Sequence, residues 1–166
     1  DTLNEEIEKY ERFEYGFQIR LNKNPELGNL LNGNQTLVNS CKQKISKLIH
    51  ENPTIDILLV SDDIPTKNIM KKYFPKNITV IDCLPVHTGG GEWFISDKQD
   101  IDLTETYEKN LFSTYLEWWL LARKCKNLII TGGKNNDNPE SEQGVSSTFG
   151  ISAAIQSWCD NKNQNI

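Results

Sequence analysis

Four short segments with strand-like composition, separated by stretches with helical periodicity, limit most strongly what this chain can fold into. The clearest is "IDILLVSDD", residues 55–63, in which an apolar run ends in two carboxylates. Such runs are typical of strands buried on both faces, as in a parallel sheet. The other three segments read "YGFQIR", "NITVIDCL" and "KNLIIT".

The stretches between these strands repeat apolar residues at helical spacing, which predicts helices with one buried face each. Pro65 suits the first turn of one helix, and Asp102 with Glu105 predicts a capping box before the longest helix. The predicted buried faces are Leu37, Cys41, Ile45 and Leu48; then Leu111, Tyr115, Trp118 and Ala122; and last Ile151, Ala154, Ile155 and Trp158.

Strands that alternate with helices predict an α/β fold: a doubly wound, Rossmann-like parallel sheet in a three-layer α/β/α arrangement. The 166 residues have room for one domain with a sizeable core. We therefore predict a single Rossmann-like domain over 1–166, with a leading helix in 1–14 and a tail in 160–166.

Composition excludes several functional classes. The net charge of −5 disfavours a nucleic-acid partner, because an acidic chain gains no binding free energy from displacing the counterions of nucleic-acid phosphates. No apolar run reaches the roughly 18 residues of a membrane span, and the first residues lack a signal-peptide pattern. The four cysteines form no CxxC pair, so no zinc site is expected. The glycosylation triplets at Asn34 and Asn77 are interpreted as chance in an Asn-rich chain.

Polar residues follow the predicted strands at the edge where open parallel sheets bind ligands. Arg20 ends the first strand, Asp62 and Asp63 end the second, and Thr131 ends the fourth. A Gly-rich segment with His87 follows the third strand and borders the same edge. The last helix opens with Ser146, Ser147 and Thr148.

Each of these residues also has a structural interpretation. Arg20 and His87 are compatible with plain surface positions, and one of the two aspartates is expected to cap the helix that begins near Pro65. The Ser-Ser-Thr group suits a helix N-cap. Taken together, however, a guanidinium, carboxylates and a helix N-terminus offer partners for the phosphates, ribose and base of a nucleotide diphosphate. The chain contains no GxGxxG, GxxxxGK[ST] or GxSxG motif.

The order of "GFQIR", "ILLVSDD", "LLARKCKNLIIT" and "SSTFGISAA" resembles the C-terminal, donor-binding half of GDP-fucose-dependent fucosyltransferases. The similarity is to the α1,2-, α1,6- and protein O-fucosyltransferase group, which has a two-domain GT-B architecture. The resemblance implies a glycosyltransferase that moves fucose from GDP-fucose to a glycan or protein hydroxyl, with no metal and no other cofactor. It also implies an acceptor-binding domain upstream of this chain.

Carried over by position, the resemblance makes Arg20 the catalytic and donor-binding residue that grips the β-phosphate. Asp62 and Asp63 would contact the nucleotide or support its pocket, and Glu117 would contact guanine. Ser146, Ser147 and Thr148 would hold phosphate.

This sequence departs from the family pattern at three places, one of which is that the acidic residue that often follows the arginine motif is missing. Gln18 stands where many relatives have His, and Gln cannot act as a base; a polar loop at 134–145 separates two segments that relatives join almost directly. The family implies the secretory pathway for a eukaryotic chain and the cytoplasm for a bacterial one.

Two other functions stay open from the sequence. One is a non-catalytic nucleotide-binding or lectin-like module derived from a transferase. The other is a Mg²⁺-dependent phosphoryl-transfer or receiver-type domain, in which Asp62, Asp63 and Thr131 would surround the metal site.

Overall fold

The computed structural model describes residues 2–21, 32–82, 103–131 and 152–158. The strands are β1 (Phe13–Ile19), β2 (Ile57–Ser61), β3 (Ile78–Thr79) and β4 (Cys125–Thr131). The helices are α1 (Leu3–Glu8), α2 (Asn32–Glu51), α3 (Ile64–Tyr73), α4 (Leu103–Lys124) and a short α5 over 152–158. No helix in these ranges is long and apolar enough to cross a membrane.

The four strands form one parallel sheet in the order β3-β2-β1-β4. Phe17 at the centre of β1 pairs with Leu59 on one side and Ile129 on the other. This confirms the predicted α/β class and all four predicted strands. Two boundaries differ: α1 ends at Glu8 and β1 begins at Phe13, so the predicted leading helix over 1–14 was too long. The pairing of β3 with β2 covers only two residues, so β3 is much shorter than "NITVIDCL".

Two separate apolar clusters lie on the two faces of the sheet. On one face, α2 and α3 bury residues such as Ile45 and Met70 against Phe17 of β1. On the other, α1, α4 and α5 bury residues such as Leu120 and Ala153 against Val60 of β2. Helices on both faces confirm the three-layer arrangement. They also show that the helix after β1 and the helix after β4 lie on opposite faces.

The buried face of α2 was predicted correctly at Cys41 and Ile45, which are both buried. The prediction was wrong for Tyr115 in α4, which is 48% exposed, and for Ile155 and Trp158 in α5, which are 58% and 60% exposed. In α4 the sheet-facing residues are Leu116, Leu120 and Leu121. In α5 it is the small Ala153 that is buried, and Trp118 Nε1 donates to Ser152 Oγ at 2.9 Å. Large apolar residues at helical spacing therefore misled the prediction, because a small residue sets the contact face. Asp102 and Ile151 lie outside the described residues.

Asn77 ties the turn before β3 to the chain entering β2. Its Nδ2 donates to the carbonyl oxygens of Pro53 at 3.0 Å and Ile55 at 2.9 Å. Both amide hydrogens are thus in use, and an attached glycan would replace one of them. This structural role agrees with the interpretation of the Asn77 triplet as chance.

We expect Asn77→Asp to lower the free energy of unfolding by about 2 kcal/mol, because it removes both donors and places a carboxylate beside two carbonyl oxygens. Urea denaturation gives the measurement. Asn68→Asp, at an exposed position of α3, introduces the same change of charge and should alter stability by less than about 0.5 kcal/mol. Equal stability of the two variants would contradict the assigned role.

Candidate functional site at the carboxyl edge of the sheet

The sheet changes direction between β1 and β4. From β1 the chain moves through β2 to β3 on one side, and it then returns to place β4 on the other side of β1. The helices that follow β1 and β4 lie on opposite faces, the arrangement in which open α/β sheets form a crevice beyond the carboxyl ends of the two strands. In open α/β sheets this switch point is where ligands bind. Arg20 directly follows β1, and Thr131 is the last residue of β4.

Arg20 is half-buried at this switch point. Within the described ranges, no hydrogen bond and no ion pair within 4 Å engages its guanidinium. Its positive charge acts to lower the pKa of Asp62. Arg123 differs, since its guanidinium lies 4.0 Å from the ring centre of Trp119 and Nη1 donates to Asn4 Oδ1 at 3.2 Å. A guanidinium at a switch point whose five donors have no hydrogen-bond partner among the described residues is suited to binding an anion.

Asp62 connects the ends of the two central strands. Its Oδ1 accepts the backbone N–H of Leu21 at 2.8 Å, so a residue just after β2 holds the chain just after β1. Burial raises the pKa of the Asp62 carboxyl above its ordinary value, while the Leu21 N–H and the positive charge of Arg20 oppose that rise. Asp62 therefore lies next to Arg20, as the topology predicted.

Asp63 has a different task, because it is the N-cap of α3. Its Oδ2 accepts from the backbone N–H of Thr66 at 2.9 Å and from Thr66 Oγ1 at 2.5 Å. The prediction that one aspartate of the pair caps this helix is confirmed. A receiver-type metal site requires both carboxylates to face the same cation, and here Asp63 is buried against its own helix. In the parts of the chain that the structure describes, no three potential metal ligands come together.

Thr131 also has a structural partner, since its Oγ1 donates to the carbonyl oxygen of Gln18 at 3.1 Å. This bond closes the end of β4 onto the end of β1. Gln18 is itself buried, between Val60 and Ile130 in the register of the sheet. Among the described residues at this edge, Asp62 and Thr131 form bonds between strand ends, and no such bond uses the guanidinium of Arg20.

Comparison with protein-family models, curated proteins and solved structures finds no match for this chain.

Glu117, the residue carried over to a guanine contact, is deeply buried and paired. Its Oε1 accepts from Lys67 Nζ at 2.6 Å, and the two side chains are 2% and 3% exposed. Lys67 Nζ also donates to the carbonyl oxygen of Ile81 at 3.1 Å. Because α3 and α4 pack on opposite faces of the sheet, this ion pair joins the two helical layers just beyond the short strand β3. A guanine contact from Glu117 would require the pair to open.

The burial of Lys67 in an ion pair was not predicted from the sequence, although the position of Lys67 on its helix indicates burial. Lys67 lies three residues before the buried Met70 and four after the N-cap Asp63, and so on the inner face of α3. A lysine on the inner face of a helix needs a buried acceptor, which indicates an ion pair within the fold.

The described cysteines do not have the environment of metal ligands or nucleophiles. Cys41 and Cys125 are buried free thiols, and burial raises the pKa of Cys125 to about 12. Reactive and metal-binding thiols need the opposite shift, toward the thiolate. The other residues predicted for the site, namely His87, Ser146, Ser147 and Thr148, together with the loop 134–145 and the tail 160–166, lie outside the described residues.

Proposed function

We propose that this domain binds the diphosphate of a nucleotide sugar at the carboxyl edge of the sheet, with GDP-fucose as the donor and Arg20 as the phosphate ligand. One observation carries the proposal: a guanidinium without a described partner stands next to the switch point between β1 and β4. Arginine pairs with phosphate through parallel hydrogen bonds, which suits a pyrophosphate lying across this crevice.

The proposed reaction is fucosyl transfer from GDP-fucose to a sugar or protein hydroxyl, with an acceptor domain outside this chain. The bond between fucose and the β-phosphate breaks through a transition state with oxocarbenium character, and negative charge develops on the departing GDP. Arg20 stabilises that charge directly, and Ser146, Ser147 and Thr148 are proposed as further phosphate contacts. The electrostatic task falls to side chains of the protein, so no divalent metal is required.

The buried ion pair with Lys67 gives Glu117 a structural role, and we assign it no guanine contact. The orientation of Asp63 into α3 argues in the same way against the Mg²⁺-dependent alternative. A non-catalytic module derived from a transferase would use the same crevice and differ only in lacking transfer.

The proposal predicts that GDP-fucose and GDP bind without metal and that Arg20→Ala weakens both about 10- to 100-fold, the loss expected when a charged hydrogen-bonding partner of phosphate is removed. Isothermal titration calorimetry with GDP-fucose, GDP, UDP and ADP, each with and without EDTA, gives the measurement. Arg20→Lys keeps the charge and loses the bidentate geometry, so its affinity for GDP and GDP-fucose should fall between those of the unsubstituted protein and Arg20→Ala.

Arg12→Ala is the matched control, because Arg12 is exposed and precedes the same strand at the opposite edge of the sheet. It should leave all affinities unchanged. Equal binding of the four nucleotides, no binding of any, or loss of binding on chelation would each overturn the proposal. A separate assay of fucose release in the presence of glycan acceptors distinguishes a transferase from a binding module.

A further inference from the structure

Next to Arg20, the proposed phosphate-binding residue, a hydrogen bond joins the chain after β1 to the chain after β2. Leu21 is the residue after Arg20, and its backbone N–H donates to Asp62 Oδ1 at 2.8 Å, across 41 residues of sequence. Leu21 is also anchored from its side chain, which is only 2% exposed and packs with Phe17 and Ile19. The backbone on the carboxyl side of Arg20 is therefore fixed at two points.

We propose that Asp62 is a positioning residue, which holds Arg20 at the switch point by bonding the N–H of Leu21 and does not itself bind the nucleotide. The geometry supports an indirect role because Oδ1 is already committed to the backbone. The positive charge of Arg20 opposes the rise in the Asp62 pKa, so the two side chains interact electrostatically. A carboxylate in direct contact with a diphosphate would instead repel it. The consequence for nucleotide affinity rests on the proposed function.

Two variants separate the bond from the charge. Asp62→Ala removes the acceptor, whereas Asp62→Asn keeps an Oδ1 that can accept from Leu21. Hydrogen exchange of the Leu21 amide, measured relative to Ile19 in the same strand, should become about tenfold faster in the alanine variant and stay near the original rate in the asparagine variant. Asp82→Ala is the control, since Asp82 is exposed and follows β3. Unchanged Leu21 exchange in Asp62→Ala would overturn the proposed bond.

The affinity for GDP tests whether the bond acts through Arg20. We expect Asp62→Ala to weaken GDP binding about tenfold and Asp62→Asn to recover most of the loss. In the Arg20→Ala background, Asp62→Ala should have no further effect, because a positioning residue works only through the group it positions. Additive losses would overturn the positioning role and indicate a direct contact or general damage.

One measurement needs no variant. In the unsubstituted protein the Leu21 amide proton resonance should shift with pH as Asp62 ionises, with a midpoint above the ordinary aspartate value of 3.8. An amide resonance insensitive to this ionisation would overturn the bond even if the alanine variant does not fold. Absence of any GDP binding by the unsubstituted protein would overturn the proposed function, while the Leu21 measurements would still decide whether the bond exists.

Discussion

Lys67→Ala is expected to lower the free energy of unfolding by about 3–5 kcal/mol. The substitution leaves Glu117 as a carboxylate buried without its cation, and the cost of such an unpaired charge is of this size. It also removes the donor to the carbonyl oxygen of Ile81. Chemical denaturation monitored by tryptophan fluorescence gives the measurement, because Trp118 and Trp119 lie next to Glu117 in α4.

A double substitution shows whether the loss comes from the unpaired charge. Lys67→Met with Glu117→Leu replaces both ions by apolar side chains, and we expect it to recover most of the stability lost in either single variant. Lys72→Ala is the control, since Lys72 is exposed on the same helix, and its effect should stay below about 0.5 kcal/mol. If Lys67→Ala behaved like Lys72→Ala, the ion pair would not contribute to stability as described.

Gly16→Val is expected to lower the free energy of unfolding by about 3 kcal/mol, because β1 has no space for a side chain at this position. A Cβ at Gly16 would lie 2.7 Å from Leu121 Cδ2, 2.7 Å from Leu128 Cδ2 and 2.8 Å from Cys125 Sγ. Leu121 and Cys125 are buried, so they have little room to move away. Thermal and urea unfolding give the measurement.

Gly16→Ala is a graded test of the same contact and should cost about 1–2 kcal/mol, since only one methyl must be accommodated. Combining it with Leu121→Ala, which opens space on α4, should cost clearly less than the sum of the two single substitutions. Additive effects would show that Gly16 and Leu121 do not compete for the same volume.

The fold was predictable because its main determinants are local. The apolar run from Ile57 to Val60 reads as a strand buried on both faces, and Asp63 before a proline reads as a helix cap; both are decided within a few neighbouring residues. Topology then follows from strands that alternate with helices. The position of Arg20 beside Asp62 was predictable for the same reason, because the ends of parallel strands meet at one edge.

The contacts that could not be predicted are those between distant residues. Lys67 and Glu117 are 50 residues apart in sequence, and no local pattern connects them. The predicted buried faces of α4 and α5 were wrong in part for a related reason, although Ala122 of α4 is buried as predicted. Tyr115 and Trp158 are large and apolar enough to suggest burial, whereas the actual contact was set by the small Ala153 and by the close approach of α4 to Gly16.

The shortness of β3 limits how a second chain could pair with the outer edge of the described sheet. In the described sheet β3 is an outer strand, and a long, flat outer strand offers unpaired backbone groups that can recruit another chain. In the described sheet only Ile78 and Thr79 pair with β2. Lys71 Nζ donates to the carbonyl oxygen of Ile78, and Lys67 Nζ donates to the carbonyl oxygen of Ile81. Among the described residues, β3 therefore offers a second molecule little backbone to pair with, and we expect this edge to resist edge-to-edge aggregation.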